Sequence, residues 1–256
     1  MNTLVNYFLA LNGGNGVQIQ LFLNYENLCE IAANEVVSLV NTRPSAVLGL
    51  PTGGTPINLY KNLISCYKNG RVSFSQTVTF NLDEYVGIPS DHPQSYHSYM
   101  RNHFFNHIDI REENIHIPYA ENQEINQFCQ SYENKIIKSG GIDLLILGLG
   151  KNGHIGFNEP GSQLTDQTKV VALAESTIKS NSKYFNSIEE VPRKAVTMGI
   201  STILRSSKII LLASGKEKAI AISKLLSSEP SSEFPASFLK LHQDVTLFVD
   251  EEAYSS

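Results

Sequence analysis

Residues 142–161 read IDLLILGLGKNGHIGFNEPG, and the change of character midway through this stretch decides the fold. From 142 to 148 only Asp143 is polar, the pattern of a core strand covered on both faces. After Gly148 the chain enters a polar, glycine-dense turn that carries Asn152, His154, Asn158 and Glu159, and Pro160-Gly161 closes it. A buried strand thus delivers proton-handling groups to its carboxyl end, where open parallel sheets bind their ligands. Loops held on a rigid scaffold are also where chemistry concentrates.

Working outward, the same grammar recurs. Residues 17–23 alternate as a strand should, and Asn24 caps a helical pattern built on Leu28, Ile31, Ala32, Val36, Leu39 and Val40. Residues 46–50 are a short apolar strand followed by Pro51-Thr52-Gly53-Gly54-Thr55-Pro56 and a helix-like INLYKNLISCYKNG, with Pro56 suited to its first turn. Strand, glycine turn and helix N-terminus form a phosphate-binding geometry, because backbone N–H groups can approach an anion closely there. An ordinary tight turn between strand and helix reads the same way. Further strands are expected at 78–82, 114–118, within 169–177, at 208–213 and at 245–249, and helices at 95–107, 122–137, after the turn 214–218 through 226, and around 236–241. This alternation predicts an α/β fold: a single domain with a mainly parallel, doubly wound, Rossmann-like sheet and helices on both faces.

The stretch FNLDEYVGIPSDHPQSYHSYM is the second unusual one. Asp83 and Glu84 sit together at a strand end, either as a general-base site or, the more ordinary outcome, as turn chemistry and a helix cap. Side chains alternate along extended backbone, so one of the pair is expected to face a cleft. His92, His97, His103 and His107 follow without a matching carboxylate or cysteine, so solvated or core histidines are expected rather than metal ligands. TIKSNSKYF, within a region 165–190, reads as a surface helix or a cover over the cleft.

The 256 residues are 41% hydrophobic and 18% charged, enough for one large domain. Net charge is −5, pI is about 5.8 and the bases are scattered, which excludes a nucleic-acid footprint. Cys29, Cys66 and Cys129 form no CxxC pattern and suit a reducing compartment. No apolar run reaches the roughly 18 residues of a membrane span, and the N-terminus lacks a basic n-region, so a cytoplasmic protein away from membranes is expected. Residues 1–16 suit an added strand or a disordered lead, and monomer and homo-oligomer both stay open.

Gly148-Leu149-Gly150-Lys151-Asn152-Gly153 satisfies the GxGxxG spacing, but Pro160 and Gly161 break any helix opening at its third glycine, and no nucleotide site is expected. No Gly-Lys-Ser/Thr follows the earlier glycine pair, and no GxSxG elbow is present. The strand ends at 52–56, 83–84, 152–159 and 214–218 instead share one rim of a doubly wound sheet. Glycines and lysines there suit a phosphate, while carboxylates and a histidine suit proton transfer, so the inferred ligand is a small sugar phosphate.

LPTGGTP, FNLDEYVG with HPQSYHSYM, GLGKNGHIGFNEPG, VPRKAVTMGI and SGKEKA, in this order and spacing, resemble the glucosamine-6-phosphate deaminase family, also called glucosamine-6-phosphate isomerase. The resemblance runs from about Val17 onward. It implies an aldose–ketose isomerisation with deamination, in which glucosamine 6-phosphate and water give fructose 6-phosphate and ammonia. It also implies no cofactor and no metal. Asp83 then corresponds to the base that moves a proton from C2 to C1, His154 to the histidine of ring opening, and Glu159 to its partner, with Asn152 in the same relay. Thr52, Gly53, Gly54, Thr55 and Lys218 correspond to the phosphate grip, and Glu84 joins the substrate-binding set. Three departures stand out. Asn152 occupies a position often held by aspartate, so a charge is lost and a hydrogen-bonding group kept. Lys183 stands where many members have an arginine, which keeps the charge without the two-pronged fork and predicts weaker phosphate binding. Lys169 is the only base in LTDQTKVV, where allosteric members carry several, so no activation by N-acetylglucosamine 6-phosphate is expected. The alternatives are a 6-phosphogluconolactonase-like hydrolase, whose loop would not continue as GFNEPG, and a non-catalytic sugar-phosphate-binding regulator, which would have no need of Asp83, His154 and Glu159 together.

Overall fold

The apolar run becomes the strand Leu144–Gly148, with neighbours on both edges. Its side chains explain the absence of alternation: Leu145 and Leu147 enter one hydrophobic core, Leu144 and Ile146 the other. Asp143, the polar exception, ties this strand to its neighbour. Its carboxylate accepts from Val47 N at 2.7 Å and from Arg43 at 2.5 Å.

A computed structural model describes residues 9–12, 16–119 and 125–254. The chain opens with β1 (Leu9–Asn12), β2 (Val17–Phe22) and α1 (Tyr25–Thr42), whose cap Asn24 accepts from Asn27 N at 2.9 Å, a bond that stabilises a helix by about 1 kcal/mol. There follow β3 (Val47–Leu50), α2 (Ile57–Lys68), β4 (Val78–Asn81), β5 (Asp83–Tyr85), α3 (Tyr96–His103) and β6 (Ile115–His116). Next come α4 (Ile125–Lys138), β7 (Leu144–Gly148), β8 (Lys169–Ala172), α5 (Glu175–Asn181), β9 (Lys194–Thr197) and α6 (Ile200–Leu204). The last are β10 (Lys208–Ala213), α7 (Ala219–Ser227), β11 (Val245–Asp250) and the one-turn α8 (Glu251–Tyr254).

Eight strands form the main sheet in the order β1-β2-β11-β10-β7-β3-β4-β6. Every pairing is parallel except β1 on β2. Helices α1, α2 and α3 cover one face and α4, α6 and α7 the other, as the cores on the two sides show. From β3 the chain first steps outward to β4 and β6, then returns to the other edge of β3 as β7, so the strand order reverses between β3 and β7. The loops after these two strands diverge there and open a crevice.

The expected architecture is present, and the added-strand alternative for the N-terminal segment holds for 9–12. Several boundaries differ. The helix expected at 95–107 ends at His103, and Phe105–His107 is a 3-10 turn. The strand expected at 114–118 shrinks to two residues, and 235–241 is 3-10 rather than α. The start of the helix expected at 122 lies outside the described residues. A second sheet, antiparallel and ordered β5-β9-β8, was not expected; it carries Asp83 and Glu84 off the end of β4. No helix among the described residues is long and apolar enough to cross a membrane.

Candidate functional site

A cavity of about 490 Å³ sits at the β3/β7 crevice. Its lining includes Thr52, Gly53, Gly54 and Thr55 from the loop after β3, Asp83 from the small sheet, Asn152 and His154 from the loop after β7, and Lys218 from the loop after β10.

Local packing shapes the glycine loop. Tyr60 donates to Pro51 O at 2.5 Å, Tyr99 to Gly53 O at 2.6 Å and Tyr25 to Thr55 O at 2.7 Å, so three phenols hold the loop's carbonyls. Pro56 gives the N-terminus of α2 no side-chain cap, and its first N–H groups make only long bonds, Ile57 N to Gly54 O and Asn58 N to the Tyr25 hydroxyl, each at 3.4 Å. Gly53 adopts φ 98°, and a side chain at either Gly53 or Gly54 would meet only open space, so the loop borders room for a ligand beside the start of the helix. Opposite, Lys218 is presented by a turn that Asp250 holds: Ser214 Oγ donates to one of its carboxylate oxygens at 2.5 Å and Gly215 N to the other at 3.1 Å. Burial, and behind it the Lys151 charge, lowers the Lys218 ammonium pKa, while Glu217 opposes the shift. A partly desolvated ammonium lining the cavity favours an anionic ligand there.

The loop after β7 positions His154 by contact rather than by nucleotide-type glycines. The Gly150 hydrogen faces the imidazole, and a methyl group there would lie 2.5 Å from three ring atoms. Gly153 packs against the Phe234 ring. His154 Nδ1 lies 2.7 Å from Asn152 Oδ1, which can only accept, so Nδ1 carries the proton and Nε2 of the neutral ring is left as an acceptor. Asn152 Nδ2 in turn donates to Glu159 Oε2 at 2.6 Å. The expected direct His154–Glu159 pair is therefore replaced: Nδ1 is 3.7 Å from the carboxylate, and Asn152 bridges them. Burial lowers the His154 pKa against the raising effect of Glu159, which favours the neutral imidazole.

Asp83 is 7% exposed, and its pKa is pushed up to about 8, first by burial and then by the Glu84 charge, with no hydrogen bond to offset them. It pairs in register with Thr197, whose hydroxyl accepts from Phe157 N at 3.1 Å, and the loop at 156 comes close to both. A side chain on Gly156 would lie 3.0 Å from Thr197 Oγ1 and 3.3 Å from Asp83 Oδ2. Asn158, fully buried, anchors the same loop to Met198 O at 2.7 Å.

Two residues expected at the site are elsewhere. Glu84 points to the opposite side of β5 from the cavity, as alternation along extended backbone requires, and its carboxylate accepts from the N–H groups of Tyr85, Tyr96 and His97. The pair divides: Asp83 faces the cavity, and Glu84 accepts from the first N–H groups of α3. Lys183 does not line the cavity either; its Nζ rests 4.8 Å from the Tyr184 ring centre in a 3-10 turn after α5.

Sequence reasoning missed Tyr96, Phe157, Thr177 and Asn181, which also line the cavity. Thr177 donates to Glu159 Oε1 at 2.7 Å and Asn181 to the Tyr85 hydroxyl at 2.8 Å, so α5 is docked on residues of the site. The aromatic spacing of Tyr85, Tyr96 and Phe157 was the available signal. Among the described residues, no group of three or more His, Cys, Asp or Glu is placed to hold a metal ion.

A family model described as glucosamine-6-phosphate isomerases/6-phosphogluconolactonase matches residues 24–248. A glucosamine-6-phosphate deaminase from Thermoanaerobacter sp. (strain X514) is 50% identical over 239 residues, 93% of this chain and 94% of that protein. One from Clostridium botulinum (strain Langeland) is 51% identical over 91% of this chain and 95% of its own. Among solved structures, a monomeric glucosamine-6-phosphate deaminase superposes with a TM-score of 0.90 at 47% identity, covering 93% of this chain and 98% of that one. The 6-phosphogluconolactonase of Thermotoga maritima superposes with a TM-score of 0.72 at 22% identity over 91% of this chain and 99% of its own, a likeness of fold alone.

Proposed function

Because the chain belongs to the glucosamine-6-phosphate isomerase/6-phosphogluconolactonase family, we propose that it converts glucosamine 6-phosphate and water to fructose 6-phosphate and ammonia. The observation that carries this reading is the meeting of Asp83 and His154 in one cavity with the glycine loop and Lys218. A phosphate grip alone would serve many ligands; a buried carboxyl and a neutral imidazole beside it add a pair of proton carriers.

The backbone of Thr52 to Thr55, the α2 N-terminus and Lys218 hold the phosphate. His154, with Nε2 as acceptor and Nδ1–H fixed through Asn152 to Glu159, takes the anomeric hydroxyl proton and returns one to the ring oxygen, so the pyranose opens to an aldehyde. Asp83 removes the C2 proton while the C2 ammonium gives up a proton to the aldehyde oxygen, forming an enolamine, and Asp83 then delivers its proton to C1. The product of that transfer is an imine at C2, where water adds and ammonia leaves. A pKa of about 8 keeps most Asp83 protonated at pH 7 in the free protein. The substrate's C2 ammonium favours the carboxylate once it is enclosed, so binding itself prepares the base.

We assign the chain one domain, with residues 165–190 as its lid and Lys183 brought to the phosphate when the lid closes. The similar solved deaminase described as monomeric supports a monomer here, acting in the cytoplasm on amino sugars. Lys169, the only base in 164–171, is paired with Asp166 at 2.5 Å, which supports the expected lack of activation by N-acetylglucosamine 6-phosphate.

A coupled assay for fructose 6-phosphate and ammonia tests the proposal, with N-acetylglucosamine 6-phosphate and 6-phosphogluconolactone offered in parallel. Turnover of glucosamine 6-phosphate alone is expected. Lactone hydrolysis without ammonia release would overturn the reading, as would an Asp83→Asn variant working at the parental rate.

A further inference from the structure

Glu84 is 2% exposed, does not line the cavity, and yet its carboxylate is among the most fully bonded side chains in the protein. Oε1 accepts from Tyr85 N at 2.8 Å and Tyr96 N at 3.0 Å. Oε2 accepts from His97 N at 3.0 Å and lies 3.0 Å from His97 Nδ1. Three backbone donors and an imidazole hold a charged carboxylate, not a neutral acid, because the carboxylate only accepts. They also dock the first turn of α3 onto β5, next to the residue that faces the substrate cavity. Cap duty alone does not need a buried charge at this position: Ser95 already caps α3, accepting from Ser98 N at 3.0 Å.

We propose that Glu84 is a positioning residue for the proton transfer: its carboxylate, locked behind β5 by α3 and His97, is the fixed negative charge against which Asp83 works. The inference rests on the base role proposed above for Asp83. Among the described residues, the basic side chain bonded to this carboxylate is His97, with Nδ1 3.0 Å from Oε2. The ionisable groups around Asp83 are the phenols of Tyr60 on α2, Tyr85 on β5, Tyr96 on α3 and Tyr132 on α4, with His154 and Lys218 lining the same cavity. Around Glu84 stand Tyr85 and His97, and one helical turn beyond His97 is Arg101, whose guanidinium is engaged by Glu112. The His97 side chain is 24% exposed and that of Glu84 3%, so the imidazole borders solvent and the carboxylate does not.

A permanently charged Glu84 keeps the proton on Asp83 until an amine displaces it, and it strengthens the proton affinity that Asp83 needs in order to pull from carbon. Burial is the larger cause of the raised Asp83 pKa and Glu84 the second, so removing the Glu84 charge moves the titration part of the way back. At an effective dielectric of about 20, a charge on the adjacent residue is worth roughly one pH unit.

The test follows the Asp83 carboxyl by infrared titration, with its band assigned by loss in Asp83→Asn, alongside pH profiles of kcat/KM corrected for the substrate's own amine. In Glu84→Gln the titration and the acid limb of kcat/KM are expected to move toward acid by about one unit, with KM nearly unchanged. His97→Lys supplies a second route that leaves the Glu84 backbone bonds in place: a permanent cation on Glu84 shifts both readouts in the same direction. If Glu84→Gln does not fold, His97→Lys decides alone. A lower kcat or melting temperature with the Asp83 titration unmoved in folded variants would reduce Glu84 to a helix anchor and overturn the inference. Because the infrared band does not depend on turnover, that failure is distinct from failure of the base assignment, which Asp83→Asn activity decides.

Discussion

Gly150→Ala isolates what the loop after β7 contributes. Gly150 does not adopt a left-handed backbone, so alanine adds no conformational strain, and the change acts through one methyl group. That methyl would lie 2.5 Å from three atoms of the His154 ring, whereas ordinary carbon contacts lie at about 3.5 Å or beyond. The imidazole must retreat by about 1 Å. It cannot do so freely, because Asn152 Oδ1 holds both His154 N at 3.1 Å and Nδ1 at 2.7 Å, and the His154 carbonyl accepts from Gly150 N at 2.9 Å. A misplacement of that size costs about 10²-fold in rate, or roughly 2.7 kcal/mol of barrier. The assay is ammonia release, with kcat reduced about 10²-fold and fructose 6-phosphate inhibition retained within about 3-fold, since the glycine loop and Lys218 are untouched. A double-mutant cycle sharpens it: in a His154→Ala background the methyl has no ring to displace, and Gly150→Ala should cost almost nothing. A kcat within about 3-fold of the parent, or the same 10²-fold loss when His154 is already absent, would refute the reasoning.

Asp83→Asn is expected to stabilise the protein at high pH. With a folded pKa near 8 and an unfolded value of about 4, the native state holds a proton the unfolded chain has lost between those limits, so stability falls as pH rises through the window. The variant should melt higher than the parent at pH 8 by at least ~1 kcal/mol of stability and match it near pH 4; parallel melting curves across that range would contradict the burial argument. Asn152→Asp places a carboxylate against His154 Nδ1 and against Glu159, so the His154 pKa should rise by about one unit or more, read by NMR titration of the ring, and no rise would mean that the bridge is not formed in solution. Lys183→Ala should raise KM by about tenfold with kcat little changed, and Lys183→Arg should lower KM; an unchanged KM in Lys183→Ala would remove this residue from the phosphate site.

What was legible in the sequence follows from how much chain each feature needs. Leu144 to Gly148 and Lys208 to Ala213 sit between two cores, so nearly every residue is apolar and the strands declare themselves. Their carboxyl ends were marked by glycine turns, and Thr52, Asp83, His154 and Lys218 all arrived where the strand ends pointed. A strand within 169–177 was expected and is β8, but the antiparallel sheet escaped because β5 has three residues and β9 four, too short for period-two alternation to register, and the partners are distant in the chain. Asn152 as the bridge could not be read from spacing, since a separation of five positions from His154 to Glu159 permits a direct contact as well as a relayed one. Glu84 illustrates the same point with the opposite outcome: alternation said that one of the acidic pair would face away, and only the α3 N–H groups behind β5 determine which.

The unforeseen small sheet also explains how a site on a rigid parallel scaffold can have a movable cover without losing its base. β8 enters the proposed lid and β9 leaves it, while β5 carries Asp83, and all three strands are one ladder with Asp83 and Lys169 both opposite Thr197. The lid's hinges are thus strands hydrogen-bonded to the strand of the base. Thr197 also holds the loop after β7 through Phe157 N, and Met198 N returns to Leu82 O on the main-sheet side. A closure that rotates α5 about the ends of β8 and β9 can move Thr177, Asn181 and Lys183 while the ladder keeps Asp83 in register with the His154 loop. In the proposed mechanism the parallel sheet holds the phosphate and the antiparallel one carries the base and the hinge, and Thr197, opposite Asp83 and bonded to Phe157 N, joins the two.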